Sequence, residues 1–165
     1  MLNREALQKK VEEQILDSYE ALYRLAFTYV HQEQDALDIV QESVYRAMKH
    51  ASSVREEQYI ETWLWRITMN TAIDFIRKNR RELVQEEFPE AGVEDQYQDF
   101  DTLEALEVLS EKERAVVVLR FFEDRQIREV AEILQENTNT VKTILYRSLR
   151  KLKIELTREE LLYEG

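Results

Sequence analysis

The chain has 165 residues, enough for one ordinary domain or two small ones, and its 34 acidic and 23 basic residues leave a net charge of −11. Zero cysteine excludes disulfides, thiolate metal sites and cysteine nucleophiles, and it fits a reducing cytoplasm. Two glycines and one proline are too few turn residues for an all-β fold, whereas 44% apolar content supports real cores, so the composition predicts an all-α chain with short polar turns. The longest apolar run, Ala115 to Leu119, is far short of a transmembrane span, and the opening MLNREALQKKVEEQ lacks the apolar centre of a signal peptide.

Apolar residues at Ile15, Tyr19, Leu22, Tyr23, Ala26 and Val30 recur at helical spacing and predict a first helix. After a break at His31 to Gln34, a second helix is expected from about Asp35 to His50. Its buried stripe would be Leu37, Val40, Val44 and Met48, with Asp35, Asp38, Glu42, Arg46 and Lys49 opposite. Ser52 and Ser53 open a polar loop. A third helix, about Tyr59 to Arg80, would bury Ile60, Trp63, Leu64, Ile67, Phe75 and Ile76.

That third helix ends in the cations Arg77, Lys78, Arg80 and Arg81. Arg66, Asn70, Asp74, Arg77 and Arg81 share one of its faces by i+3 and i+4 spacing. Asparagine is a poor helix former, so Asn70 in mid-helix asks for a purpose, such as a hydrogen bond to a base edge. The plainer alternative is a tolerated residue on a solvated face. Tyr59, Trp63 and Trp65 lie beside it and could support unstacked bases, although Trp63 falls on the buried stripe and reads as core.

From Glu82 to Glu107 the chain carries ten acids and no Lys or Arg, and it holds Pro89 and Gly92. Repelling charges and sparse apolar residues predict a mobile linker there, with a solvated acidic helix as the alternative from Leu103 onward. Three segments result: a helical domain at 1–81, an acidic linker at 82–102 and a second helical domain at 103–165.

In the second domain, Ser110-Glu111-Lys112-Glu113 spells a capping box, and a helix should run from it through Phe121. Ile127 to Leu134 is the next helix, with Val130, Ala131 and Leu134 inward. A turn follows at Gln135 to Asn139, with Asn137 as N-cap. The last helix starts near Thr140 and faces the core with Val141, Leu145, Leu149 and Leu152. Between Thr140 and Lys153 lie Lys142, Arg147, Arg150, Lys151 and Lys153 and no acid, an island of +5 in an acidic chain. A small residue at the helix crossing (Ala131) and an early apolar pin (Val141) fit a helix-turn-helix whose exposed start enters the major groove. Asn139, Thr140, Lys142 and Thr143 would then face DNA. A helical hairpin with a basic end, favoured by the helix dipole, is the alternative.

Catalysis finds little support. His31 and His50 have no carboxylates at metal-ligand spacing, and there is no glycine-rich phosphate loop, so neither an enzyme nor a metal or other cofactor is expected.

The segments DALDIVQESVYRAMKH, YIETWLWRITMNTAIDFIRKNRR and LSEKERAVVVLRFFEDRQIREVAEILQENTNTVKTILYRSLRKLK, in this order around an acidic linker, resemble an extracytoplasmic-function sigma factor of bacterial RNA polymerase. The resemblance runs from about Tyr19 to Lys153. It implies a compact family form, with region 2 and region 4 domains only, acting in the cytoplasm. It implies that Asp35, Asp38, Ile39, Gln41 and Glu42 dock on core RNA polymerase. Asn70 would stand near a flipped-out base of the −10 element, with Arg66, Arg77, Lys78, Arg80 and Arg81 on the adjacent DNA. The helix-turn-helix would read the −35 element through Asn139, Thr140, Lys142, Thr143, Ile144 and Arg147. Promoter DNA, core polymerase and a membrane-anchored anti-sigma factor are the implied partners.

Three positions depart from the family pattern: Gln135 replaces a turn glycine, Ile144 an arginine and Gln126 a capping serine. Ile144 in place of arginine either removes a DNA contact or touches a thymine methyl. The competing classes are a dimeric helix-turn-helix repressor, which predicts a palindromic operator, and an acidic helical adaptor that binds no DNA, which leaves both cationic helix ends unexplained.

Overall fold

The computed structural model describes residues 3–85 and 105–164, with side chains described at 3–82 and 105–153. Beyond residue 85 the expected acidic linker, with Pro89 and Gly92, lies outside the described residues. Every regular element among those residues is helical. They are α1 (Arg4–Val30), α2 (Glu33–Lys49), α3 (Ile60–Gln85), α4 (Glu111–Val117), α5 (Ile127–Leu134) and α6 (Thr138–Glu164). Short 3-10 turns occupy Ala51–Ser53, Glu57–Tyr59 and Leu106–Val108, and a π turn at Val118–Phe122 follows α4.

The helix ends follow from local chemistry. Asn3 Oδ1 accepts from Ala6 N at 2.8 Å and starts α1. His31, left-handed at φ 56°, ends it. Gln32 Oε1 accepts from Asp35 N at 2.9 Å and starts α2. The Ser110 box forms as read: Ser110 Oγ accepts from Glu113 N at 3.2 Å, and Glu113 Oε1 accepts from Ser110 N at 2.9 Å. Asn137 Oδ1 accepts from Thr140 N at 2.7 Å and caps α6. The helix expected through Phe121 gives way at Val118 to the wider π turn, which leaves Phe121 and Phe122 exposed.

Helices α1, α2 and α3 pack pairwise, and α4 and α5 pack on α6. Ala36, Ile39, Val40, Ser43 and Ala47 form the buried stripe of α2. Leu37, Val44 and Met48 are only half-buried, so the expected stripe is rotated. The reason is that α2 is wedged between α1 and α3, and its small residues admit both neighbours. On α1, Tyr19 is exposed rather than buried, and on α6 Leu149 is exposed at the margin of the core.

Trp63, expected in the core, packs at its margin, and Trp65, whose place was left open, lies inside it. Trp65 is fully buried and Trp63 only half so. One buried face was expected for α3, but α3 also packs on α5 of the second domain, and that second contact covers Trp65. The Arg125 guanidinium lies 4.4 Å from the Trp65 ring centroid. One continuous apolar core, from Leu7 to Leu145, therefore runs through both helical groups. Side chains such as Leu22, Ile39, Leu64, Met69 and Val116 are buried in it, each contributing about 1.5–3 kcal/mol of transfer free energy.

Candidate nucleic-acid interface

Three exposed faces carry the candidate residues. The first is the edge of α3. Asn70 is exposed and lines a cleft of about 260 Å³, together with Arg66, Met69, Ile73 and Arg77 on its own helix. The opposite wall is Glu111, Lys112, Leu134 and Gln135 of the second domain. Arg66 Nε donates to Ile133 O at 2.9 Å and Nη2 to Glu132 O at 2.8 Å. Burial pushes the Arg66 pKa down. Arg77 grips Glu111 with two hydrogen bonds, Nε to Oε2 at 2.7 Å, and the neighbouring carboxylate raises its pKa. Lys78, Arg80 and Arg81 are exposed one turn further on. Asp74, expected on the same face, turns instead to Arg46 of α2 at 3.2 Å.

The second face is the outer side of α2. Asp38, Gln41 and Glu42 are exposed, and Asp35 is half-buried with its carboxyl pushed up by burial and by Asp38. Ile39 corrects the sequence reading. It is 1% exposed, on the stripe with Ala36 and Val40, and has no surface to offer a partner. Tyr45, exposed beside Lys49 at 5.9 Å, extends this face by one turn. Its spacing of seven from Asp38 could have found it.

The third face is the start of α6. Asn139, Lys142 and Thr143 are exposed and Thr140 half-exposed. Thr143 Oγ1 donates to Asn139 O at 3.0 Å. Ile144 is a second correction. It is 5% exposed and packs into the domain core beside Leu145, so it presents no methyl to a groove. Of the two readings of the arginine-to-isoleucine departure, burial at this position fits a removed DNA contact and not a thymine-methyl contact. Arg147 is half-exposed, but its Nε donates to Glu113 Oε2 at 2.7 Å. Tyr146, 63% exposed between Lys142 and Arg150, was missed. It stands four residues after Lys142, on the same face.

Glu113 organises this unit. Lys151 Nζ donates to its Oε1 at 2.9 Å beside the Arg147 bond, while the carboxylate closes the Ser110 box. Burial pushes the Glu113 pKa up, but the Ser110 amide, Lys151 and Arg147 outweigh it and hold the carboxyl at about 2. The turn before α6 is left-handed at Gln135, φ 58°, the geometry that favours glycine. With Ala131 and Val141 buried at the crossing, α5 and α6 make a helix-turn-helix with an exposed polar start.

Residues 15–82 match the model of sigma-70 region 2, and residues 100–152 that of sigma-70 region 4. The chain is 47% identical over 151 residues to the RNA polymerase sigma factor SigV of Bacillus subtilis, covering 89% of this chain and 91% of that protein. This chain belongs to the sigma-70 family of RNA polymerase sigma factors. Within the family it is of the extracytoplasmic-function type. The ECF sigma factor SigX of Bacillus subtilis is 30% identical over 166 residues, 90% of this chain and 86% of its own. The fold is that of the sigma factor RpoE of Bartonella quintana, solved with the anti-sigma factor NepR: TM-score 0.71 at 24% identity, over 88% of this sigma factor and 96% of that chain. Among the described residues no group of three or more His, Cys, Asp or Glu could hold a metal ion, and no helix is long and apolar enough to cross a membrane.

Proposed function

We propose that this sigma factor binds core RNA polymerase and directs it to promoters, reading the −10 element with α3 and the −35 element with the start of α6. The reading divides the chain into region 2 at 1–81, an acidic linker at 82–102 and region 4 at 103–165. The observation that carries it is the order of the two family matches, each with a helix of exposed cations at its end. Asp35, Asp38, Gln41, Glu42 and Tyr45 form the polymerase-docking face. Asn70 lines the pocket for an unstacked −10 base, and Arg66, Arg77, Lys78, Arg80 and Arg81 hold the neighbouring backbone. Asn139, Thr140, Lys142, Thr143 and Tyr146 face the −35 groove.

No covalent step is needed. Each flipped base costs a few kcal/mol of stacking and pairing, offset by the protein pocket. Docking on polymerase fixes the spacing of two weak readers, so the second binds at high effective concentration. The net charge of −11 suppresses stray DNA binding by the free protein. An anti-sigma factor is the regulatory partner, as RpoE of Bartonella quintana has in NepR, and the site of action is the cytoplasm.

Run-off transcription from a randomised promoter library, with purified core polymerase and this chain, tests the proposal. Discrete promoter sequences enriched only when both proteins are present are the expected result. Transcription no different from core polymerase alone would overturn it.

A further inference from the structure

Two consecutive residues in the first turn of α4 hold the α6 unit at two places, with opposite charges. Lys112 Nζ donates to Glu136 Oε1 in the turn that precedes α6. Glu113 takes Arg147 and Lys151 further along, with Arg147 Nε 2.7 Å from its Oε2 and Lys151 Nζ 2.9 Å from its Oε1. Arg147 stands about 14 Å along the axis from Thr138, the first residue of α6. Asn139, Thr140, Lys142 and Thr143, the −35 candidates, lie between the two holds.

We infer that Lys112 is a positioning residue for the −35 contact: its bond to Glu136, together with the Glu113 hold, sets the angle at which α6 is presented to DNA. The inference rests on the −35 reading proposed for the start of α6. A helix held at one point can pivot about it, whereas two holds fix its axis. The element that carries both holds is firm. Ala115, Val116 and Val117 are buried on α4, and the Ser110 box fixes its first turn.

The turn before α6 is where support is needed. Gln135 takes up the left-handed conformation there without being glycine. Beyond it, Glu136 N donates to Ala131 O at 3.0 Å, and Asn137 caps α6. The Lys112 side chain is 53% exposed and that of Glu136 25%, so their bond adds little to stability. What it adds is direction. Lys112 faces an acid and Glu113 faces cations, so a shift of α6 that exchanged the two partners would set like charges against each other.

The test uses holoenzyme assembled from core polymerase and the full-length chain. Its probes are two duplexes of a promoter recovered by run-off selection, one with the −35 element intact and one with it scrambled. Lys112→Met keeps the length of the side chain and removes its charge. It should lower the affinity ratio between the duplexes by about threefold, the scale of one partly exposed ion pair, with salt slope and thermal midpoint unchanged. Glu136→Gln breaks the bond from the other side and should do the same, which covers the case in which Lys112→Met misfolds. Lys112→Arg keeps the bond and should keep the ratio. A ratio unchanged in the folded Lys112→Met and Glu136→Gln variants overturns the inference, and so does a Lys112→Arg ratio as low as that of Lys112→Met. A salt slope reduced by about one phosphate equivalent in Lys112→Met also overturns it, because Lys112 would then touch DNA itself. A holoenzyme whose affinity for both duplexes is indifferent to Lys142→Ala marks failure of the −35 reading instead.

Discussion

Glu113 in the first turn of α4 accepts a hydrogen bond from Arg147 in the middle of α6 at 2.7 Å. The pair sits at 2% and 51% side-chain exposure, so a carboxylate inside the domain holds a cation at its rim. The bond ties the first helix of region 4 to the helix that carries the −35 candidates. Arg147 is thereby a positioning residue first.

Glu113→Gln should destabilise region 4 by about 2–3 kcal/mol, because Arg147 and Lys151 lose a buried partner. The wild-type carboxyl is depressed to about 2. Its contribution is therefore complete above the ordinary glutamate value and is lost as pH falls through about 2. Urea midpoints for wild type should fall on acidification from about pH 5 to pH 3, and the variant should lack this part of the slope. Equal slopes would show that the carboxylate is not held as described.

Gln135 occupies a left-handed position that glycine fills at no steric penalty. Gln135→Gly should raise stability by about 0.5–1 kcal/mol, net of the extra freedom it gives the unfolded chain. Thermal unfolding reads the difference. A loss of stability would mean that the Gln135 side chain contributes contacts that outweigh the backbone strain.

His31 links pH to the interdomain contact. Its Nε2 lies 3.0 Å from Thr28 O and 3.3 Å from Arg114 Nη2. Burial foremost, then Arg114, pushes its pKa down, against the Thr28 carbonyl and the facing Glu107 carboxylate. Around Arg114 stand also Tyr29, its phenol pushed up by burial, and the charged Glu107 and Arg80. The unfolded chain therefore takes up the His31 proton first. The penalty is absent above about pH 6.5, grows as pH falls from there and is complete below the folded value. Stability should decline from about pH 7.5 to pH 5.5, and His31→Gln should flatten that decline. A variant as pH-sensitive as wild type would assign the effect elsewhere.

Lys142 and Arg147 should separate experimentally. Lys142 is exposed at the start of α6. Lys142→Ala should weaken −35 binding across sequences and flatten the salt slope by about one phosphate equivalent, leaving thermal stability unchanged. Arg147→Ala should lower stability before it touches DNA affinity, since it releases Glu113. Identical behaviour of the two variants would contradict this division.

Local chemistry was legible from the sequence. The Ser110 box and the Asn137 cap each need only neighbours within three residues, and both form as read. The order of the helices was equally clear, because few glycines or prolines interrupt the apolar period. Contacts between distant segments were not legible. The burial of Trp65 could not be read because helical spacing tells which residues share a face but not how many faces are covered, and Ile39 and Ile144 were carried over from the resemblance rather than from any contact of this chain. The Arg66 and Arg114 caps join residues 66 and 67, and 85 and 86, positions apart, to backbone carbonyls that no sequence pattern marks. Tyr45 and Tyr146 could have been found by extending each exposed face by one turn.

Arg46 reaches from α2 to Glu42 on its own helix and to Asp74 and Thr71 on α3. It acts as a splint between two helices with different tasks. Whatever holds the outer side of α2 also sets the pitch of α3, so under the roles proposed for the two helices a grip on one and the aim of the other become a single movement.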